Sequence, residues 1–160
     1  MERVRSDVAR LSHLEGLRRP TIIAVAMLTA LGDRNSTPEP SGDGFGQRRI
    51  IQLAKLAAET GLDGVLTSPN EAAQIRAACG RRFTIVSSGL GRSARDGENG
   101  ESVAQAAEML RAGADYLVVG SLIWRAEQPL KAARDLVEQM EGVMRTGPRL
   151  AVERYPSRQL

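Results

Sequence analysis

The residues most suited to chemistry lie in a glycine-rich segment in the second half of the chain. Residues 88–101 read S-G-L-G-R-S-A-R-D-G-E-N-G-E, with four glycines and two arginines. Gly89 and Gly91 would let backbone N–H groups approach an anion closely, and Arg92 or Arg95 would neutralise its charge. The segment therefore predicts a phosphate-binding loop, with a plain flexible connection as the alternative.

Two further polar positions follow short apolar runs. Ser68 comes directly after G-V-L-T, and Gly120-Ser121 comes directly after Y-L-V-V. At the end of a buried parallel strand, such residues face the edge of the sheet where α/β proteins bind their ligands. For Ser68 a second interpretation stays open, because a serine there can also cap a helix whose first turn holds Pro69 and Glu71.

Two segments of similar design position these residues. Residues 60–69 read T-G-L-D-G-V-L-T-S-P, and residues 112–123 read A-G-A-D-Y-L-V-V-G-S-L-I. In each segment a glycine ends a helix, an apolar run follows, and a loop begins where that run stops. This repeated order of helix, glycine, strand and loop predicts an α/β protein with parallel strands.

The same patterns, applied to the whole chain, predict four strands and five helices. The strands are expected at residues 21–29, 64–67, 83–87 and 115–119, and the helices within 1–19, 47–60, 71–79, 102–112 and 130–144. The first strand is apolar on both faces, which is typical of a strand covered on both sides. Residues 31–46 show no periodicity and are either a lid or a disordered insertion. One domain is expected at 1–145, followed by an irregular tail at 146–160.

Composition excludes several classes of protein. The chain has 160 residues, of which 42% are hydrophobic and 26% charged, as in a globular protein. A closed eight-stranded α/β barrel takes roughly 250 residues, so the chain is too short for one. No apolar run reaches the roughly 20 residues of a spanning helix, and the first ten residues are too charged for a signal peptide, so we expect a cytoplasmic protein without membrane contact. The single cysteine, Cys79, excludes an internal disulfide and is expected to be a buried, inert thiol.

The charge pattern argues against a nucleic-acid partner. All but two of the 22 basic residues are arginine, and they are scattered over the expected helices and both tails rather than clustered. Only 3% of the residues are aromatic, which provides no platform on which bases could stack. We therefore expect no nucleic-acid partner.

Three segments, taken in order and at suitable spacing, resemble the orotidine 5'-phosphate decarboxylase family. V-A-M-L-T-A-L at residues 25–31 is similar to the family's V-T-V-L-T-S-M, and G-L-D-G-V-L-T-S-P-N-E at 61–71 is similar to G-x-D-G-V-V-C-S-x-x-E. G-A-D-Y-L-V-V-G-S-L-I at 113–123 is similar to G-A-D-x-L-V-I-G-R-P-I. The resemblance covers about residues 1–142 and implies a partial (β/α) barrel. It would be the second half of a TIM-type barrel, from the helix before the fifth strand to the C-terminus.

The resemblance implies the conversion of orotidylate to uridylate in pyrimidine biosynthesis, without a cofactor or a metal. In the family, a lysine within an alternating Asp-Lys-Asp-Lys array on the first three strands protonates the carbanion that forms as carbon dioxide leaves. Those strands have no counterpart here, and Lys55 and Lys131 both fall within amphipathic helices. We therefore expect no catalytic residue in this chain and no activity from it alone.

The resemblance also implies a set of contacts with a nucleotide or sugar phosphate, but some members differ. Ala30 stands where the family has a pyrimidine-contacting serine, and Ser121 stands where it has the phosphate-binding arginine of G-R-P-I. In the turn that matches P-G-I-R, the arginine is displaced by one residue. The expected contacts are Thr29, Ser68, Ser88, Gly89, Gly91, Arg92, Gly120 and Ser121.

An open half-barrel would expose two sheet edges and a large apolar face. The expected partner is therefore a complementing half-barrel chain or a second copy of this chain. With a complementing half, the chain would be part of a cofactor-independent carboxy-lyase. The alternatives are a non-catalytic phosphate-ester-binding or scaffold protein that closes its barrel by self-association, and a decayed fragment that folds only as a pair.

Overall fold

The computed structural model describes residues 1–26, 45–90 and 99–146, in which helices and strands alternate. The helices are α1 (Glu2–Leu14), α2 (Phe45–Glu59), α3 (Ala72–Cys79), α4 (Asn99–Arg111), α5 (Ser121–Trp124) and α6 (Pro129–Thr146). The strands are β1 (Ile23–Val25), β2 (Gly64–Thr67), β3 (Thr84–Ser87) and β4 (Tyr116–Leu117), and a 3₁₀ turn occupies Pro69–Glu71. The predicted α/β class with four strands is confirmed.

The four strands form a single parallel sheet in the order β1-β2-β3-β4. One row of paired residues crosses the whole sheet, joining Val25 to Leu66, Leu66 to Val86, and Val86 to Tyr116. Strand order that follows chain order, with a helix after each strand, is the arrangement found within a (β/α) barrel. The described part of the chain is therefore built like a segment of such a barrel.

Several boundaries differ from the sequence prediction. β1 and β4 are shorter than expected, and α5 was not predicted, because four residues are too few to show a helical period. α6 runs through Thr146, one residue into the predicted tail. The remainder of that tail, most of the predicted 31–46 loop and the end of the first predicted strand lie outside the described residues.

The core lies between the helices and one face of the sheet. Residues that alternate along β2 and β3, namely Val65, Thr67, Ile85 and Ser87, are fully buried. The two apolar side chains among them pack with residues of α2 and α3: Ile50, Ala54, Ala57, Ala72 and Ile75. A smaller cluster joins Leu90, after β3, to α4 and α6. Helix packing on this face therefore fixes the strands.

The opposite face of the sheet is open. Val25 is 61% exposed, Tyr116 is 63% exposed and Val118 is 48% exposed, although all three are large apolar or aromatic residues. The prediction that the first strand is covered on both faces is therefore wrong for Val25. The physical reason is that this face corresponds to the interior of a barrel, and no strand of the described part lies across it.

The aspartates of the two repeated segments perform the same structural task at the amino ends of the strands. The Asp63 carboxylate accepts hydrogen bonds from the Ile22 amide at 2.7 Å and from Arg19 at 3.0 Å. The Asp115 carboxylate accepts from the Ile85 amide at 2.8 Å and from Arg76 at 2.6 Å. Each aspartate thus ties its own strand to the neighbouring one, which explains why both segments contain Gly-x-Asp.

Arg76 is the most highly connected of these groups. Besides Asp115, its guanidinium donates to the backbone oxygens of Gly80 and Phe83 at 2.8 Å and to that of Gly113 at 2.8 and 3.2 Å. A planar guanidinium can satisfy several acceptors at once in this way. It therefore links α3, the start of β3 and the turn before β4.

Stability is expected to depend on pH through Asp63. Partial burial acts to raise the pKa of Asp63, but the hydrogen bonds from Arg19 and the Ile22 amide, with the charges of Arg19 and Arg5, lower it below the ordinary value of 3.8. The unfolded chain therefore takes up this proton first as pH falls. The stabilisation is present above about pH 4 and is lost as pH falls through the lowered pKa.

Urea unfolding of Asp63→Asn between pH 3 and 7 tests whether Asp63 stabilises the fold in this pH-dependent way. At pH 7 the variant should be less stable by about 1 kcal/mol, allowing for solvent screening of the pair. The difference should shrink towards zero as pH falls through the lowered pKa. Glu138→Gln, an exposed change on α6, is the control; a difference for Asp63→Asn that is constant with pH would contradict the assignment.

Candidate functional site

The carboxyl ends of the parallel strands bring together most of the described candidate residues. Thr67 pairs with Ser87, and the Ser88 amide donates to the Thr67 oxygen at 3.0 Å, so Ser68 and Ser88 follow adjacent positions of neighbouring strands. The Val118 amide donates to the Ser87 oxygen at 2.8 Å, which brings the chain leading to Gly120 to the same edge. Thr29, Gly91 and Arg92, with Arg95, lie outside the described residues.

The turn after β3 is fixed by two residues with different roles. Gly89 has a φ of +108°, a backbone conformation that glycine adopts without strain and other residues rarely adopt. Leu90 is only 6% exposed and packs against Ala106 and Met109 of α4 and Leu136 of α6. Because the leucine is anchored in this cluster, the Gly89 turn is held at the carboxyl edge.

Gly120 and Ser121 stand at the start of α5. The Gly120 oxygen accepts from the Ile123 amide at 2.9 Å, and the Ser121 side chain is exposed. Within the described part of the chain, a Cβ atom at Gly120 would meet only the Trp124 Nε1 atom, at 3.9 Å, which is an ordinary contact. Packing against the described residues therefore does not require glycine here.

Ser68 does not act as the side-chain cap that the sequence suggested. It occupies the N-cap position of the 3₁₀ turn, and Pro69 takes the first position as predicted, but the serine side chain makes no capping hydrogen bond to the backbone. Its hydroxyl instead donates to Glu71 Oε2. Thr67 Oγ1 lies 3.4 Å from the same oxygen, and Glu71 is only 7% exposed.

Glu71 is therefore the site residue that sequence reasoning missed. The Ser-x-x-Glu spacing carried the signal, but this spacing is also typical of a helix start, where each side chain would bind backbone amides. The fully buried Ser87, beside Thr67 in the sheet, adds a hydroxyl oxygen that has no hydrogen-bond partner among the described residues. Four hydroxyl side chains, those of Thr67, Ser68, Ser87 and Ser88, and one buried carboxylate thus occupy the ends of β2 and β3.

The two lysines and the cysteine lie away from the described part of the carboxyl edge. Lys55 and Lys131 are exposed on α2 and α6, which confirms that neither lies at a strand end. Cys79 is half-buried, and desolvation raises the pKa of its thiol, which disfavours the reactive thiolate. The described part of the carboxyl edge is suited to binding by hydrogen bonds.

Two depressions of the described surface lie away from this edge. One, of about 520 Å³, is lined by Met1, Arg3 and Leu56, and another, of about 480 Å³, by Arg5, Arg19 and Asp63. Both border α1. In a half-barrel, strands surround only one side of the barrel axis, so the carboxyl edge does not enclose a cavity.

Comparisons with known proteins agree with this architecture. The family described as orotidine 5'-phosphate decarboxylase / HUMPS matches residues 5–136. The chain is 36% identical over 127 residues to the orotidine 5'-phosphate decarboxylase of Citrifermentans bemidjiense, covering 76% of this chain and 50% of that protein. It is 39% identical over 140 residues to the enzyme of Moorella thermoacetica, covering 88% of this chain and 54% of that protein.

Among solved structures, the orotidine 5'-phosphate decarboxylase of Lactobacillus acidophilus superposes with a TM-score of 0.58 at 25% identity, covering 78% of this chain and 51% of that chain. The chain therefore spans about half the length of the relatives it matches, as expected of a partial barrel. By this match and by its fold, the chain belongs to the orotidine 5'-phosphate decarboxylase / HUMPS family.

Proposed function

We propose that this chain is the phosphate-binding half of an orotidylate decarboxylase barrel. We take it as the second half, and decarboxylation requires a completing half that carries the lysine and aspartate side chains. One observation carries the proposal: Ser68, Ser88 and Gly89 gather at the carboxyl edge of a parallel sheet, whereas both lysines lie exposed on helices. The substrate class follows from the relatives, which are named for orotidine 5'-phosphate.

The exposed apolar residues support completion by a second half. Several of them lie on the open face of the sheet, at Val25, Tyr116 and Val118, and others on the helices before β1 and after β4, at Val4, Leu11, Leu14, Leu130 and Val137. α1 precedes β1 and α6 follows β4, so a half-barrel that adds strands to both edges would contact all three surfaces. Its binding would remove apolar side chains from water.

Phosphate binding in this proposal relies on backbone amides more than on charged side chains. The Gly89 turn and the start of α5 provide backbone near the carboxyl edge, but Ser121 cannot supply the charge that an arginine would. Losing one charged hydrogen bond costs about 1.5–3 kcal/mol, roughly ten- to a hundredfold in affinity. We therefore propose a weaker site than that of a full-length relative, in which Arg92 is the main cation.

Uridine monophosphate is expected to raise the melting temperature of the chain, and inorganic phosphate to do so at higher concentration. Arg92→Ala should weaken nucleotide binding about tenfold or more, because the phosphate loses its cation. Arg111→Ala is the matched control, since Arg111 is exposed at the end of α4 that leads to the amino edge of the sheet. Equal losses in the two variants, or none with Arg92→Ala, would contradict the proposed site.

A second candidate function is a non-catalytic phosphate-ester-binding or scaffold protein that closes its barrel by self-association. The replacement of the arginine by Ser121 and the open apolar face favour it. In that case the 17.3 kDa chain should have twice this mass in solution, and no completing half should elicit turnover.

A further inference from the structure

The direction of its hydrogen bond decides whether the Ser68 hydroxyl can donate to a ligand or only accept from one. A serine hydroxyl has one proton and two lone pairs. In this structure the proton is directed to Glu71 Oε2, so the outward side of the oxygen presents lone pairs only. An oxygen in this state cannot donate to a phosphate oxygen, which is itself an acceptor. Ser68 was expected to contact phosphate, but with its proton directed to Glu71 it cannot donate a hydrogen bond to a phosphate oxygen.

The burial of Glu71 keeps the Ser68 proton directed to its carboxylate. The side chain of Glu71 is 7% exposed, and the Thr67 hydroxyl, which is fully buried, approaches the same carboxylate oxygen at 3.4 Å. A buried carboxylate must keep its hydrogen-bond donors, because losing one leaves a charged acceptor unsatisfied. Ser68 itself remains partly exposed, so its lone pairs reach the carboxyl edge.

We propose that Glu71 is a positioning residue that fixes Ser68 as a hydrogen-bond acceptor. The end of β2 then selects ligands that present a neutral donor there, either the imide N–H of a pyrimidine or the 2'-hydroxyl of a ribose. This inference rests on the proposed function and deepens it, because it places the nucleoside part of the ligand, and not its phosphate, beside Ser68.

Three nucleotides identify the donor. Uridine monophosphate carries both groups, cytidine monophosphate has an acceptor in place of the imide N–H, and 2'-deoxyuridine monophosphate lacks the 2'-hydroxyl. The wild-type chain should bind uridine monophosphate about fivefold more tightly than one of the other two, as one neutral hydrogen bond implies. Titration calorimetry with each nucleotide shows which group faces Ser68.

Variants of Glu71 and Ser68 separate positioning from a merely structural role. Glu71→Met removes the acceptor and frees the serine proton to turn outwards, so the preference should fall to about twofold or less. Glu71→Gln keeps a carbonyl acceptor and should retain the preference, even if its melting temperature falls. Ser68→Ala leaves Glu71 in place and should abolish the preference, which keeps the test decisive if Glu71→Met does not fold.

Any of four results would overturn the inference while leaving the nucleotide site intact. The first is equal binding of all three nucleotides by the wild-type chain, and the second is loss of the preference in Glu71→Gln. The third and fourth are persistence of the preference in Ser68→Ala and in a folded Glu71→Met. If the wild-type chain binds none of the nucleotides, the proposed function itself fails, and this inference fails with it.

Discussion

Replacing Gly64 with alanine is expected to lower the free energy of unfolding by about 3 kcal/mol or more, a large part of the stability of a small domain. Gly64 is the first residue of β2 and pairs with Thr84 of β3. A Cβ atom at this position would lie 2.2 Å from the Thr84 backbone oxygen and 2.6 Å from its Cβ atom. Two paired strands would have to separate to relieve these contacts.

Gly142→Ala is the control for this substitution. Gly142 lies in α6, and a Cβ atom there would have no described neighbour within 4 Å beyond the backbone of the helix itself. Alanine is favoured over glycine inside a helix, so this variant should be as stable as the wild type or more stable by about 0.5–1 kcal/mol. Urea unfolding followed by circular dichroism measures both variants. A Gly64→Ala protein within about 0.5 kcal/mol of the wild type would contradict the packing described for β2.

The amino and carboxyl edges of the sheet differ in purpose. At the amino edge, Asp63 and Asp115 pair with Arg19 and Arg76 and hold the strands together. At the carboxyl edge, Ser68, Ser88 and the Gly89 turn lie close to one another. The two Gly-x-Asp segments run from one edge towards the other, so each carries a structural aspartate at its start and candidate binding residues at its end.

Local sequence signals predicted the elements well where they were strong. β2 and β3 followed from short apolar runs, and α2 and α3 ended near the glycines that stop them, Gly61 and Gly80, both at positive φ. The pairs formed by Arg19 and Arg76 could not be predicted, because their carboxylate partners are 44 and 39 residues away in the chain. Nothing in the local pattern set these two arginines apart from the others.

The candidate site was predicted in outline only. Strand ends and glycines indicated which edge of the sheet to consider, and the structure brings Ser68, Ser88 and Gly89 together there. The sequence could not indicate which group receives the Ser68 proton, because Ser-x-x-Glu allows both a helix cap and a direct side-chain hydrogen bond. The sequence also contained no sign that the Glu71 side chain is buried, which the structure shows.

Decarboxylation of orotidylate is expected only from a completed barrel. The lysines of this chain are exposed on α2 and α6, so we expect the proton donor to come from the completing half. General acid catalysis by one positioned group contributes about 10²–10⁴-fold in rate, and fixed charges contribute comparable factors. Adding the catalytic half should therefore raise turnover by about a thousandfold or more over either half alone.

The most direct measurement is carbon dioxide release from orotidylate by this chain mixed with the first half of the Moorella thermoacetica decarboxylase, a relative 39% identical to it. The control is the same half-barrel in which the lysine expected to protonate the carbanion is changed to alanine. Each half alone and the control mixture should be inactive, and the mixture with the intact half should form a complex that turns over orotidylate. Turnover by this chain alone, failure of the halves to associate, or a stable complex without turnover would contradict the account.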